Sequence, residues 1–236
     1  LHGTQGNIKN CTFNNNHAEK GGAVYWNGNN GKLSACSFVN NHADAGWGGA
    51  VRWYGTNGFL SACSFVNNHA DEYGGAVCWY GDNGFLSACS FNNNHAENYS
   101  GGAVYWHGAN GTLKDCSFIN NHADAGGAVC WDIGANGFLS ACSFVNNHAK
   151  WYGGAVCWNA ENSKVVDCSF VNNHANDYGG AVFWYGANGK VVDCSFVNNH
   201  AKFKGNVIYW YKSGDIFACT FSVFRPKNTN TVTVNN

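Results

Sequence analysis

One short segment, Cys-[Ser/Thr]-Phe, recurs nine times along this chain of 236 residues, at Cys11, Cys36, Cys63, Cys89, Cys116, Cys142, Cys168, Cys194 and Cys219. Successive copies lie 25 to 27 residues apart. A second marker, Gly-Gly-Ala-Val-x-Trp, falls between them and ends at Trp26, Trp53, Trp79, Trp106, Trp131, Trp158 and Trp184, with a degraded copy at residues 205–210. Self-similarity at one fixed period means a stacked repeat architecture, because a unit this small cannot bury its apolar side alone. Leu1-His2-Gly3 aligns with Trp106-His107-Gly108. The chain is therefore expected to begin inside a repeat, with further coils upstream, and to continue into other domains of a longer protein.

Each unit carries short strand-like segments separated by turn residues, with no 3.6-residue period. Val24 and Trp26 alternate with Tyr25, whose position is taken by Arg52, Cys78, Tyr105, Phe183 and Tyr209 in other copies. Tolerance of Arg marks that position as the outer face. The Gly-x-Asn-Gly segments supply the pair best suited to positive φ. Leu33, Cys36 and Phe38 form the next apolar set, and the three-residue step from Leu to Cys implies a bend. Asn-Asn-His-Ala is expected to close the turn, giving three strand-like faces, with the Asn pairs outside and bonded to their copies. Stacking like on like at the ~4.8 Å interstrand spacing gives parallel strands and interior ladders of Val, Trp, Leu, Cys and Phe. The fold class expected is all-β: a right-handed parallel β-helix of about nine coils, a rod ~40 Å long at that rise. Residues 1–221 carry the repeats. At 222–236 the pattern lapses, since Ser222-Val223-Phe224-Arg225-Pro226 replaces Asn-Asn-His-Ala, and Thr231-Val232-Thr233-Val234 reads as a strand. That segment is expected to cap the last coil or to begin a following one.

Only 11% of residues are charged and the formal net charge is −1, so no field favours nucleic acid. No apolar run approaches the ~18 residues of a spanning helix, so this segment is not expected to insert in a membrane. The nine-Cys column reads as buried thiols rather than disulfides or metal ligands, since no Cys-x-x-Cys occurs. Cys78, Cys130 and Cys157 fall at the outward position, and thiol reagent is expected to label them first; Cys130 and Cys157, in adjacent coils, are the pair suited to oxidise. Eight histidines (His17, His42, His69, His95, His122, His148, His174 and His200) read as stacked turn residues, and no metal or other cofactor is expected. Asp167 and Asp193 lie one coil apart, a spacing that suggests a glycosidase carboxylate pair. Ala fills the same column in half the coils, however, and no cationic cluster accompanies the pair. Trp47, Tyr73, Tyr99, Trp151, Tyr152, Tyr178 and Phe203, in the variable stretch before each Gly-Gly, align as a broken aromatic strip. Such a strip suits glycan rings or a protein partner, or else covers a turn.

Two sets of motifs carry a family resemblance. Gly48-Gly49-Ala50-Val51 and Phe65-Val66-Asn67-Asn68 resemble the GGA-hydrophobic and FxxN repeats of chlamydial polymorphic outer-membrane proteins. The fuller pattern, with Trp-x-Gly-x-Asn-Gly and Cys-Ser-Phe-x-Asn-Asn, is similar to adhesin-like proteins of methanogenic archaea. The resemblance spans residues 1 to about 221. It implies a right-handed parallel β-helix, export to the extracellular cell surface, and a non-enzymatic role in attachment to glycans or proteins of another cell. It carries over no catalytic residue. A structural envelope or filament subunit and a polysaccharide-degrading β-helix enzyme are the alternatives.

Overall fold

The computed structural model describes residues 3–222 and the backbone of the strand Val232–Val234. Four parallel sheets run along the rod. Sheet A holds nine strands, from Asn7–Lys9 to Gly214–Phe217; sheet B holds nine, from Thr12–Asn14 to Thr220–Ser222. Sheet C holds eight, from His17–Ala18 to His200–Ala201, and sheet D nine, from Val24–Trp26 to Ile208–Trp210 with Val232–Val234 added at its end. Among the described residues this makes eight complete four-strand coils and the start of a ninth. Three faces were expected and four are present, because each His-Ala pair begins a strand of its own, two residues long in six of the eight coils. Residues 223–231, 235 and 236 of the expected C-terminal segment lie outside the described residues; Val232 and Val234 pair in parallel with Ile208 and Trp210.

Register is like on like throughout, as in Val77↔Val51 and Trp79↔Trp53 or Phe65↔Phe38. The interior follows directly. Trp rings from Trp26 to Trp210 stack with centroids 4.6 to 4.9 Å apart, and the Phe column repeats at 4.8 Å through its middle. Offset aromatic contacts of this kind add to the burial of each ring. In each Asn-Gly turn it is the Asn that takes positive φ (Asn57, +53°; Asn83, +54°). The Gly is needed for space, since a Cβ at Gly58 or Gly84 would strike the indole of Trp53 or Trp79.

Two corners are held by side-chain ladders. Where sheet A turns into sheet B, the N–H of Cys36 donates to Cys63 Sγ at 3.4 Å, and the Cys36 thiol donates to the Ser34 carbonyl at 3.1 Å. The pattern repeats coil after coil, so the Cys column consists of hydrogen-bonded buried thiols. Burial pushes Cys89 and Cys142 far above the ordinary thiol range. Where sheet B turns into sheet C, the second Asn of each pair points inward, against expectation. Asn68 Oδ1 accepts from both Asn41 N–H (3.0 Å) and Asn41 Nδ2 (2.9 Å), while Asn68 Nδ2 donates to the Phe38 carbonyl. Such an amide is worth burying because it closes a corner whose backbone groups would otherwise be unpaired.

The outward position of sheet D also departs from the sequence reading. Arg52, Cys78, Tyr105, Cys130, Cys157 and Tyr209 are all buried. They face away from the coil interior, but aromatic side chains from both flanks fold over them and make a second apolar cluster outside the wall. Cys78, Cys130 and Cys157 are consequently as inaccessible as the inner column, and the more open thiols are Cys11 and Cys219 near the two ends. Cys130 and Cys157 do pair in register, as expected of adjacent coils, and both are free. The histidine rings do not stack either: neighbours tilt by 42° to 88° with centroids 4.6 to 5.4 Å apart.

Candidate functional site

The outer side of sheet D concentrates the exposed and half-exposed aromatic residues. The seven residues of the expected strip divide in two. Trp47, Tyr73, Tyr152 and Tyr178 occupy one register position immediately before Gly-Gly, shown by the bridges Trp47↔Tyr73 and Tyr152↔Tyr178. They lean over sheet D, with Tyr73 4.6 Å from Tyr105, Tyr152 5.0 Å from Phe183 and Tyr178 4.9 Å from Tyr209. Tyr99, Trp151 and Phe203 stand one residue earlier and are exposed. Two clusters result, Trp47–Tyr73–Tyr99 and Tyr152–Tyr178–Phe203. Ser100 and Ala125 separate them, at the same register position.

A second aromatic column flanks sheet D on its other side and escaped the sequence reading. It is the residue after each Trp of the ladder: Asn27, Tyr54, Tyr80, His107, Asp132, Asn159, Tyr185 and Tyr211. Tyr54 stacks on Tyr80 at 4.8 Å, and Tyr185 on Tyr211 at 4.8 Å. The signal was available, since this position is as regular as the Trp before it. Between the two columns the Arg52 guanidinium lies 4.1 Å over Trp47 and 4.8 Å over Tyr54, and donates to the Tyr54 hydroxyl. A guanidinium can be buried there because ring faces on both sides attract the cation.

Midway along the rod both columns lack an aromatic in the coil of Trp131, at Ala125 and Asp132. Trp131-Asp132-Ile133-Gly134 carries one residue more than the other Trp-x-Gly turns, and Ala160 and Ser163 replace the two glycines of the next. A cleft of about 540 Å³ opens at this break, lined by Asp132, Ile133, Asn159, Ala160, Glu161 and Tyr185. Asp132 accepts from the Tyr105 hydroxyl at 2.7 Å and from Asn159 Nδ2 at 3.1 Å. Burial, reinforced by that bond to Asp132, pushes the Tyr105 phenol well above its ordinary range, so it acts as a neutral donor. Lys212 lies 3.7 Å from Glu161 and 4.9 Å over the Tyr185 ring. The cleft thus sets a partly exposed aromatic ring beside amide and carboxylate groups.

The Asp column lies elsewhere. Asp115 and Asp167 line a long shallow groove of about 1030 Å³ at the corner between sheets A and B. Both take left-handed φ (+53° and +52°), as does Asp193 (+52°). Asp and Asn tolerate that conformation best after Gly, which accounts for their presence without catalysis.

These features define a right-handed parallel β-solenoid with one aromatic outer face. The model of the right-handed β-helix region matches residues 76–235, and the chain belongs to that family. The Chlamydia polymorphic membrane protein repeat matches at residues 10–25 and 62–78. Among solved structures, the tailspike protein of E. coli bacteriophage HK620 in complex with pentasaccharide is similar at a TM-score of 0.52 and 16% identity, over 97% of this chain and 47% of that one. A mutant of the same tailspike, also with pentasaccharide, gives a TM-score of 0.55 at 15% identity and the same coverage. The chain spans about half the length of these tailspikes, and the likeness is one of fold. No curated protein sequence matches. No helix among the described residues is long and apolar enough to cross a membrane.

Proposed function

We propose that this chain is part of a non-enzymatic rod at an extracellular surface, and that it holds glycan chains on the outer face of sheet D. The observation that carries the reading is the pair of aromatic columns interrupted by the polar cleft at Asp132, Asn159, Glu161 and Tyr185. Pyranose rings are recognised by an aromatic face that covers their C–H side and by fixed polar groups that bond their hydroxyls. This cleft sets the partly exposed Tyr185 ring beside such polar groups, at the place where the repeat is broken, and departures from local regularity concentrate at functional sites. The chlamydial repeat match supports a surface location, and the tailspike structures are of a solenoid of similar fold in complex with an oligosaccharide. The likeness to archaeal adhesin-like proteins rests on the motifs alone. A catalytic reading has less support, because both Asp132 oxygens already accept hydrogen bonds and the Asp column occupies turn positions.

A glycan array followed by calorimetry on the strongest oligosaccharide tests the proposal. Tyr185→Ala and Asn159→Ala should each weaken binding by about tenfold or more, at ~1.4 kcal/mol per decade. Lys190→Ala, on sheet A, should leave it unchanged. If no oligosaccharide binds, or if binding survives both cleft substitutions, the cleft is not a glycan site.

A further inference from the structure

The histidine column has a partner column. Two residues after each of the first five histidines stands a carboxylate: Glu19, Asp44, Asp71, Glu97 and Asp124. In the last three coils Lys150, Asn176 and Lys202 stand there instead. One end of sheet C therefore carries imidazoles among carboxylates, and the other carries imidazoles among cationic or neutral groups.

We propose that the N-terminal end of this ladder binds a divalent ion of the zinc class through His17, His42 and Asp44, with His42, His69 and Asp71 as the alternative trio. Each trio brings one donor atom per residue within 4.8 Å of the others. His17 Nε2 is in contact with Asp44 Oδ2, and His42 Nδ1 lies 3.5 Å from Asp44 Oδ1. In the second trio Asp71 Oδ1 is 3.0 Å from His42 Nε2 and 3.5 Å from His69 Nε2. Metal–donor bonds of ~2.1 Å hold tetrahedral donors roughly 3.4 Å apart, so small side-chain shifts would close either shell. Two imidazoles with one carboxylate suit zinc, cobalt or nickel, whereas calcium and magnesium take oxygen shells. The side chains are partly exposed, which leaves a fourth position open to water.

His42 limits the occupancy. It offers Nδ1 to one trio and Nε2 to the other, and a neutral imidazole has a single lone pair to give. The two trios are therefore alternatives, and the ladder takes one ion rather than two. Further along, Lys150 holds Asp124 at 3.7 Å and opposes a second cation.

Calorimetry with Zn²⁺ and absorption spectra with Co²⁺, both on the full chain, test the assignment. One equivalent of each ion should bind saturably, Co²⁺ should show the intense visible bands of a tetrahedral site, and Zn²⁺ should raise the melting temperature by linkage. His42→Ala should weaken binding by more than about tenfold, as loss of a ligand shared by both trios requires. Asp44→Asn should shift the ion to the second trio, and Asp44→Asn with Asp71→Asn should abolish the site. His174→Gln, in the half without carboxylates, should bind like the parent. Because His42 is partly exposed, melting without metal will show that His42→Ala folds. Absence of saturable binding, a stoichiometry near eight, or equal losses from His42→Ala and His174→Gln would each overturn the proposal.

Discussion

Alanine in a left-handed conformation recurs at one position of this rod. Ala35, Ala62, Ala88, Ala141 and Ala218 all have φ between +49° and +50°, and Asp115, Asp167 and Asp193 hold the same turn in other coils. A Cβ in that region costs roughly 1–2 kcal/mol, and Asn or Asp offsets part of it through local hydrogen bonds. Ala88→Asn should therefore raise stability by about 0.5–1 kcal/mol, read as a higher urea midpoint at unchanged slope. A lower midpoint would show that the alanine methyl is packed in a way a larger side chain disrupts. At this scale the sequence is informative about residue type and poor about direction. Asn40 and Asn41 look alike on paper, yet Asn40 takes the turn (φ +54°) while Asn41 is buried. Nothing in residue identity separates them, because a one-residue change of facing depends on where the corner bends.

The strands inherit their character from like-on-like stacking, and this part was legible. Val, Trp, Leu, Cys and Phe were expected inside, and all five columns are buried through the middle coils. The fourth sheet was not legible, since strands mostly two residues long leave no periodic signal. Cover over sheet D was missed in part for a related reason: one flank of it comes from the segment of variable length before Gly-Gly, whose register cannot be read without the backbone. Burial in the stacked columns makes a direct test. Phe144 is fully buried between Phe118 and Phe170, each 4.8 Å away. Phe144→Ala should cost about 3–5 kcal/mol, from lost burial plus a cavity that two stacked rings cannot collapse into. Lys190→Ala, at an exposed sheet A position, should change stability by less than about 0.5 kcal/mol. Chemical denaturation of the two variants measures both, and equal losses would remove the inside-outside assignment.

For the molecule as a whole, three of the eight histidines at one height of the coils, His95, His122 and His174, couple folding to pH. The coupling does not come from stacked rings, which tilt instead, and it differs from coil to coil. His122 is held at about 4, first by burial and then by His148, His95 and Lys150. His95 is lowered by burial and by His69, against the opposing pull of Glu97 and Asp124. His174 is lowered by burial and by His148 and His200. Each of these imidazoles is neutral in the folded rod and binds a proton more readily when the chain unfolds, near the ordinary value of about 6.5. The unfolded state then carries more protons, so stability is complete above that value and falls as pH drops through it toward 4. Thermal melts in metal-free buffer between pH 7 and pH 4.5 should show a falling midpoint. Replacing His95, His122 and His174 with Asn should flatten that fall while leaving the melt at pH 7.5 nearly unchanged. An equally steep fall in the triple variant would place the acid sensitivity in other groups, and a parent midpoint that holds steady to pH 4.5 would mean that the half-buried imidazoles accept protons without disturbing the coils.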